Sequence, residues 1–219
     1  MSLLERLRGL DTCAVSDALD RHGLSGVVPG LRPLAADRSF AGHCVTVRLG
    51  PPVEGDALPK RHLGTAAVDA SGPDQVIVVA HQGRTDCAGW GGLLSRAAAA
   101  RGVEGVIVHG AARDLAEAAT AGLPVHALTS TPVTARSRAV EHAWGEPVEL
   151  GEIVVTPGDL VLADAGGIAV IPAAHAEEVL ATAERIAATE AAMAEAITAG
   201  TPVSDVMGKS YEELTDGHH

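Results

Sequence analysis

The stretch at residues 87–114, CAGWGGLLSRAAAARGVEGVIVHGAARD, decides the fold of this chain. Its first residues predict a glycine-rich turn, because Gly89, Gly91 and Gly92 leave the backbone free to bend. The next run, residues 93–101, contains good helix formers and no proline. It therefore predicts a helix that begins near Gly92.

The second half of the stretch predicts a buried strand that ends at a polar pair. Gly102 is expected to end the helix. The β-branched run between Val103 and Val108 is short and apolar, which is typical of a strand buried on both faces. Arg113 and Asp114 follow at the carboxyl end of this strand. Ligands of open α/β sheets gather at such strand ends and at helix N-termini, so the stretch predicts a ligand site.

The composition limits the classes of partner. The 219 residues are 47% hydrophobic but only 2% aromatic, so the predicted core consists of Val, Leu, Ile and Ala. The formal net charge is −12, whereas a nucleic-acid-binding surface needs clustered cations. The scarcity of aromatic side chains also argues against base stacking. Nucleic acid is therefore not an expected partner.

Cysteine usage and hydropathy predict the cellular compartment. Cys13, Cys44 and Cys87 are widely spaced, odd in number and without the pair spacing of a zinc site. This pattern favours a reducing, cytoplasmic environment. No run of about 18 apolar residues occurs, and charges interrupt the N-terminal apolar residues. The sequence predicts a soluble, non-secreted protein that does not bind a membrane.

The rest of the chain alternates predicted helices and strands. Helices are predicted at residues 2–10, 12–19, 63–70, 115–121 and 172–199, the last as one helix or a pair. Strands are predicted at residues 41–49, 75–80, 123–127 and 152–155, with a hairpin at 160–163 and 167–171. Loops are predicted at 27–33 and 50–59, residues 129–148 show no clear period, and residues 211–214 predict one helical turn. The alternation predicts a single α/β domain over residues 1–219, with a core of about 10–200 and a tail at 201–219.

Five blocks, in order along the chain, resemble the RraA-like family. They are VSDAL at 15–19, AGHCVTV at 41–47, WGGLL…AAAARGVEGVIVHGAARD at 90–114, TPGDLVLADAGGIAVIP at 156–172, and the Glu-rich late helix. The resemblance covers roughly residues 10–200. The family includes regulators of ribonuclease E activity and class II 4-hydroxy-4-methyl-2-oxoglutarate and 4-carboxy-4-hydroxy-2-oxoadipate aldolases.

The resemblance implies a fold and an assembly. The fold would be a three-layer α/β/α (β/β/α) sandwich of the swivelling phosphohistidine-domain kind. The assembly would be a homotrimer, or a hexamer of two trimers, with active sites between neighbouring subunits. A carboxylate from the neighbouring subunit would then contribute to each site.

The resemblance also implies a metal site at the polar pair. Its aldolase members carry an acidic residue, twenty residues, and then Arg-Asp; here the pair is Arg113-Asp114, and Gly92 stands in place of the acid. Asp114 is implied to bind a divalent metal, Mg²⁺ or Mn²⁺, and Arg113 to hold the substrate. An anion cradle is expected from the backbone N–H groups of Gly91, Gly92, Leu93 and Leu94. Asp86 could take the place of the missing acid, and His109 would lie close to the cleft.

These assignments predict a class II lyase for a small 2-keto acid. The expected reactions are retro-aldol cleavage and oxaloacetate decarboxylation, because both pass through a pyruvate enolate. One alternative is a non-catalytic regulator that binds a protein partner. Another is a diverged member that uses the same site for a different reaction on a related acid.

Overall fold

The computed structural model describes residues 1–52 and 62–207 of the chain. The helices are α1 (Leu3–Leu7), α2 (Thr12–Arg21), α3 (Thr65–Ala70), α4 (Gly92–Ala100), α5 (Leu115–Thr120), α6 (Ala176–Thr198) and α7 (Val203–Val206). The strands are β1 (Arg32–Ala35), β2 (Phe40–Gly50), β3 (Gln75–Trp90), β4 (Gly105–Ala112), β5 (Val125–Ser130), β6 (Val140–Trp144), β7 (Val148–Leu150), β8 (Ile153–Val155), β9 (Leu160–Asp164) and β10 (Gly167–Ile171).

One mixed sheet organises these elements. Its strand order is β1-β5-β4-β3-β2-β9-β10, and β6 adds to β2. The central strands β2, β3, β4 and β5 run parallel, whereas β1, β6, β9 and β10 pair antiparallel with their neighbours. The first and last strands of this order, β1 and β10, approach each other, so the sheet is curved and nearly closed. Strands β7 and β8 form a separate two-stranded ribbon.

The alternation of side chains along β3 produces layers on both faces of the sheet. Val76, Val78 and Ala80 pack inside the curved sheet against the β7–β8 ribbon. Ile77 and Val79 point the other way, into the core beneath α3, α4 and α5. A third core joins β9 and β10 to α1, α2 and α6. Burial on both faces explains the continuous apolar run of β3, and the predicted α/β class is confirmed.

The glycine-rich turn predicted at the start of the 87–114 stretch is shorter than expected: residues 87–90 belong to β3, and only Gly91 separates this strand from α4. That strand extends ten residues beyond the predicted end at Ala80. In its second half the pairing with β4 shifts register between Ala80 and Arg84, and again around Ala88. Such irregular pairing removes the two-residue period by which a strand is recognised in sequence.

The helix predicted after the turn is confirmed, and so is its end. α4 begins at Gly92, and Gly102 adopts a left-handed backbone with φ +78°. The N–H of Gly102 donates to the carbonyl of Ala99, and that of Val103 donates to Ala98. This pair of bonds is a Schellman motif, in which glycine is favoured at the left-handed position.

Other boundaries differ by a few residues. Strand β1 begins inside the loop predicted at 27–33, and β6 forms within 129–148, where no period was visible. The late helical region is a 3-10 turn followed by the single helix α6. The loop predicted at 50–59 lies mostly outside the described residues, and the helical turn at 211–214 lies wholly outside them. In the described parts of the chain, no helix combines the length and apolar character needed to cross a membrane.

Candidate active site

A cavity of about 350 Å³ opens where β3 and β4 end and α4 begins. Residues 88–94 and the pair Arg113-Asp114 form one part of its wall. Residues 134–137 and 139–141, which connect β5 to β6 and begin β6, form another part. The structure therefore brings the predicted Arg-Asp pair and the predicted anion cradle to a single cavity.

The pairing of β3 with β4 explains why these residues meet. Trp90 lies opposite Ala112 in the parallel ladder, and the N–H of Arg113 donates to the carbonyl of Trp90 at 3.0 Å. Both strands thus end at the same level, and each is followed directly by a helix. The N-termini of α4 and α5 consequently lie side by side, as expected at the carboxyl edge of a parallel sheet.

Asp114 occupies the turn between β4 and α5 in a left-handed conformation, with φ +57°. Asp tolerates this region better than most residues because its short polar side chain can bond locally. Its Oδ2 accepts a hydrogen bond from the N–H of Gly92 at 3.1 Å and lies 3.2 Å from Nε of Arg113. Both side chains are about 40% exposed, so the ion pair faces the cavity.

Crowding, rather than backbone conformation, explains why positions 91 and 92 are occupied by glycine. A Cβ atom at Gly91 would lie 3.1 Å from Oδ2 of Asp114 and 3.3 Å from Nε of Arg113. A Cβ atom at Gly92 would lie 3.0 Å from Cβ of Asp114 and 2.8 Å from Cδ of Glu117. The missing side chains let the α4 backbone approach the carboxylate of Asp114 closely.

Glu117 is a candidate site residue that sequence reasoning missed. Its carboxylate lies directly over Gly92, at the position for which the family resemblance implies an acid. It is held there by Nε of Arg96 on α4, at 3.1 Å from Oε2. The sequence does contain a signal for this residue. Residues three apart on a helix lie on one face, and Glu117 follows Asp114 by three residues.

Fewer N–H groups are free for the expected anion cradle than the four predicted. The N–H of Gly92 already donates to Asp114. The N–H groups of Leu93 and Leu94 belong to the first turn of α4, where no preceding helical carbonyl is available to them. These two groups lie at the positive end of the helix dipole and remain for an anion, as does the N–H of Gly91, which donates to no carbonyl of the described residues.

The structure does not bring Asp86 or His109 into the cavity. Both carboxylate oxygens of Asp86 accept hydrogen bonds from Arg84, at 2.9 and 2.7 Å, and this guanidinium lowers the pKa of Asp86. His109 lies within β4, opposite Ala80, and is half-buried. Burial lowers the pKa of His109 and favours the neutral imidazole. Neither residue lines the cavity that contains the Arg113-Asp114 pair.

The donor set suits a hard cation held by few protein ligands. Asp114 lines the cavity, and Glu117 adds a second carboxylate next to it, over Gly92. Within residues 1–52 and 62–207, no group of three or more His, Cys, Asp and Glu side chains could enclose a metal. A closed zinc-type site is therefore a poor fit, whereas Mg²⁺ or Mn²⁺, which keeps several waters and uses one or two carboxylates, fits this arrangement.

Comparisons with known proteins agree with this architecture. Protein DlpA of Legionella pneumophila is 29% identical over 206 residues, which are 91% of this chain but only 32% of that protein, so the chain spans about a third of its length. A Deinococcus radiodurans protein named "Putative 4-hydroxy-4-methyl-2-oxoglutarate aldolase" is 33% identical over 165 residues, 75% of this chain and 96% of that protein.

Solved structures show the same fold. Streptomyces coelicolor RraAS2, described as an unusual member of the RNase ES inhibitor RraA protein family, superposes with a TM-score of 0.77 at 25% identity. The match covers 86% of this chain and 93% of that one. The sequence profile RraA-like (Aldolase/RraA) matches residues 12–170, which include the whole cavity wall described above. The chain therefore belongs to the RraA-like family.

Proposed function

We propose that the chain is a divalent-metal-dependent lyase for a small 2-keto dicarboxylic acid. Its reactions would be retro-aldol cleavage of a 4-hydroxy-4-methyl-2-oxoglutarate-type substrate, decarboxylation of oxaloacetate, or both. The observation that carries this proposal is the contact between Arg113 and Asp114 inside a cavity at the N-terminus of α4. The name of the Deinococcus radiodurans relative supports the aldolase class.

Arg113 supplies the fixed positive charge of the site. Both reactions break the C3–C4 bond, one carbon away from the keto group at C2. The remaining fragment is a pyruvate enolate, whose negative charge lies on the former keto oxygen. The Nε of Arg113 faces Asp114, and its terminal nitrogens remain to donate hydrogen bonds to that oxygen. A donor already in position stabilises the developing charge without reorganisation, which is the largest single contribution in many enzymes.

Asp114 is the proposed metal ligand, and Mg²⁺ or Mn²⁺ is the proposed metal. A divalent cation held there would polarise the keto group of the substrate as a Lewis acid. The N–H groups of Leu93 and Leu94 would bind the adjacent carboxylate at the helix N-terminus. Trp90 and Leu94, both almost fully buried, give the cavity an apolar wall that limits access of water.

Glu117 distinguishes the two proposed reactions. Retro-aldol cleavage requires a base to accept the proton of the 4-hydroxyl group, whereas decarboxylation does not. Glu117 presents its carboxylate beside Gly92, at the N-terminus of α4, and is about half exposed. We assign Glu117 the role of accepting this proton, directly or through a water molecule.

We further propose that the protein assembles as a homotrimer or a hexamer. Leu93 borders the cavity and is 83% exposed, so a subunit contact at this place would remove its apolar surface from water. A neighbouring subunit could also complete the cavity with a carboxylate. All three cysteines are free, which supports the proposed cytoplasmic location.

A non-catalytic regulator is the competing hypothesis, since the Streptomyces coelicolor relative is described as belonging to an RNase inhibitor family. A regulator of this kind would work through surface contacts and would not need the cavity. A purified ribonuclease E scaffold region, tested for binding to this protein with and without metal, separates the two hypotheses.

The decisive experiment measures pyruvate release. We expect turnover of oxaloacetate or of 4-hydroxy-4-methyl-2-oxoglutarate with Mg²⁺ or Mn²⁺, and its loss with a chelator. Asp114→Ala and Arg113→Ala should each lower kcat/KM by about 100-fold or more. Asp86→Asn is the matched control, since it removes a carboxylate outside the cavity. Turnover that survives chelation, or either cavity variant with wild-type activity, would refute the proposal.

A further inference from the structure

A second arginine of the cavity wall, Arg136, has no role in the chemistry assigned above. It lies between β5 and β6, on the segment of residues 131–139. Three nearby arginines are each paired with a carboxylate: Arg113 with Asp114, Arg84 with Asp86, and Arg96 with Glu117. Arg138, on the same segment, donates to the backbone carbonyls of Thr134 and Arg136 and does not line the cavity. In the parts of the chain that the structure describes, no carboxylate lies within ion-pair distance of Arg136.

The segment that carries Arg136 is fixed to the strands that carry the site. The carbonyl of Val133 accepts a hydrogen bond from the N–H of Ala88 on β3 at 3.0 Å. The N–H of Arg136 itself donates to Oγ1 of Thr134 at 3.2 Å, which sets the local turn. These bonds fix the backbone that carries Arg136 at the edge of the cavity, and the exposed side chain extends from it.

The charges around the cavity favour a ligand with two negative charges. Its wall contains two guanidinium groups, Arg113 and Arg136, and two carboxylates, Asp114 and Glu141. Glu141 is engaged with the backbone, since it accepts the N–H of Gly64 at 2.6 Å. The four charges balance, and Glu117, outside this wall, is paired with Arg96. Within one subunit, a divalent cation on Asp114 therefore leaves two positive charges. A dicarboxylate neutralises them, whereas a monocarboxylate does not.

We propose that Arg136 determines substrate specificity by binding the distal carboxylate of a 2-keto dicarboxylate. This inference rests on the proposed lyase function, because it requires the keto-acid end of the substrate to lie at Arg113 and Asp114. A guanidinium presents paired donors that match the geometry of a carboxylate. The contact exists before and during the reaction, so its loss raises KM and leaves kcat nearly unchanged.

The test compares substrates with and without the distal carboxylate. The first pair is 4-hydroxy-4-methyl-2-oxoglutarate and 4-hydroxy-2-oxopentanoate, which both release pyruvate on retro-aldol cleavage. The second pair, 2-oxoglutarate and 2-oxobutanoate, is used for calorimetric binding with Mg²⁺ and needs no turnover. The variants are Arg136→Gln, Arg136→Lys, and Arg32→Gln, which removes the same charge on β1, away from the cavity.

We expect Arg136→Gln to lower kcat/KM and affinity for the dicarboxylates by roughly 10- to 100-fold, the range for one charged hydrogen bond. The monocarboxylates should change by less than about threefold, Arg136→Lys should keep part of the preference, and Arg32→Gln should behave as wild type. An equal loss for both classes, or a wild type without preference in binding, overturns the inference. If the wild type releases no pyruvate but still binds the dicarboxylate more tightly than the monocarboxylate, the lyase proposal is refuted. The role of Arg136 in binding the distal carboxylate would then still hold.

Discussion

Replacing Gly92 by Ala tests whether close approach of the α4 backbone to Asp114 is required for activity. The added methyl group would lie 3.0 Å from Cβ of Asp114, whereas carbon atoms in favourable contact are about 3.5–4.0 Å apart. The two must therefore separate by roughly 0.5–1 Å. The hydrogen bond from the N–H of Gly92 to Asp114 is already 3.1 Å long, near the upper limit, and would break.

The expected loss of activity follows from the strength of this hydrogen bond. A bond to a charged group contributes about 1.5–3 kcal/mol, so misplacing the carboxylate should lower kcat/KM by about 10- to 100-fold. Stability should fall by about 2 kcal/mol at most, because overpacking costs about 1–3 kcal/mol while Ala gains up to about 1 kcal/mol over Gly within a helix. At the size of this chain, the midpoint of thermal unfolding should fall by only a few degrees.

The assay is pyruvate release with Mg²⁺, coupled to lactate dehydrogenase, alongside thermal unfolding. Gly72→Ala is the matched control, since its new methyl group meets only the carbonyl oxygen of Arg101, at 3.7 Å. Adding Glu117→Ala to Gly92→Ala removes the clash with Cδ of Glu117 but not the one with Asp114. The double variant should therefore regain stability but not oxaloacetate decarboxylation, the reaction that does not require Glu117. Wild-type kcat/KM in Gly92→Ala would refute this reasoning.

Two further predictions concern other carboxylates. Glu117→Gln should lower retro-aldol turnover about 100-fold more than oxaloacetate decarboxylation, the lower end of the range for a general base. Equal losses in the two assays would exclude the proposed proton transfer. Asp164→Asn should destabilise the fold at neutral pH. Burial alone would raise the pKa of Asp164, but hydrogen bonds from Thr12 and Gly166 outweigh it and lower that pKa. A carboxyl whose pKa is lowered by folding stabilises the folded state at pH values above its pKa in the unfolded chain, about 3.9. The difference in free energy of unfolding between wild type and Asp164→Asn should therefore shrink as the pH falls through the native pKa. Denaturant titrations at a series of pH values measure this free-energy difference. A difference that does not change with pH would contradict the lowered pKa of Asp164.

The sequence was most informative where a single local rule decided the structure. Gly102 ends α4 because the left-handed residue of a Schellman motif favours glycine, and Val103 completes the motif. The apolar run at 75–80 indicated a buried strand, and these residues of β3 are buried. Local rules failed where pairing was irregular: residues 81–90 contain glycines and charges, yet they continue β3 because β4 accepts them through shifts of register.

By itself, the sequence determined the α/β class, the helix that begins at Gly92, and the Arg113-Asp114 pair at the carboxyl end of a strand. These depend on residues close together in the chain, where backbone preference and hydrophobic period act directly. Only the tertiary structure decided that Glu117 lies over Gly92 and that Arg136 joins the cavity wall. Those side chains come from α5 and from the segment after β5, and the parallel pairing of β3, β4 and β5 sets their positions. A cavity is formed by contacts between distant segments, and no local pattern encodes them.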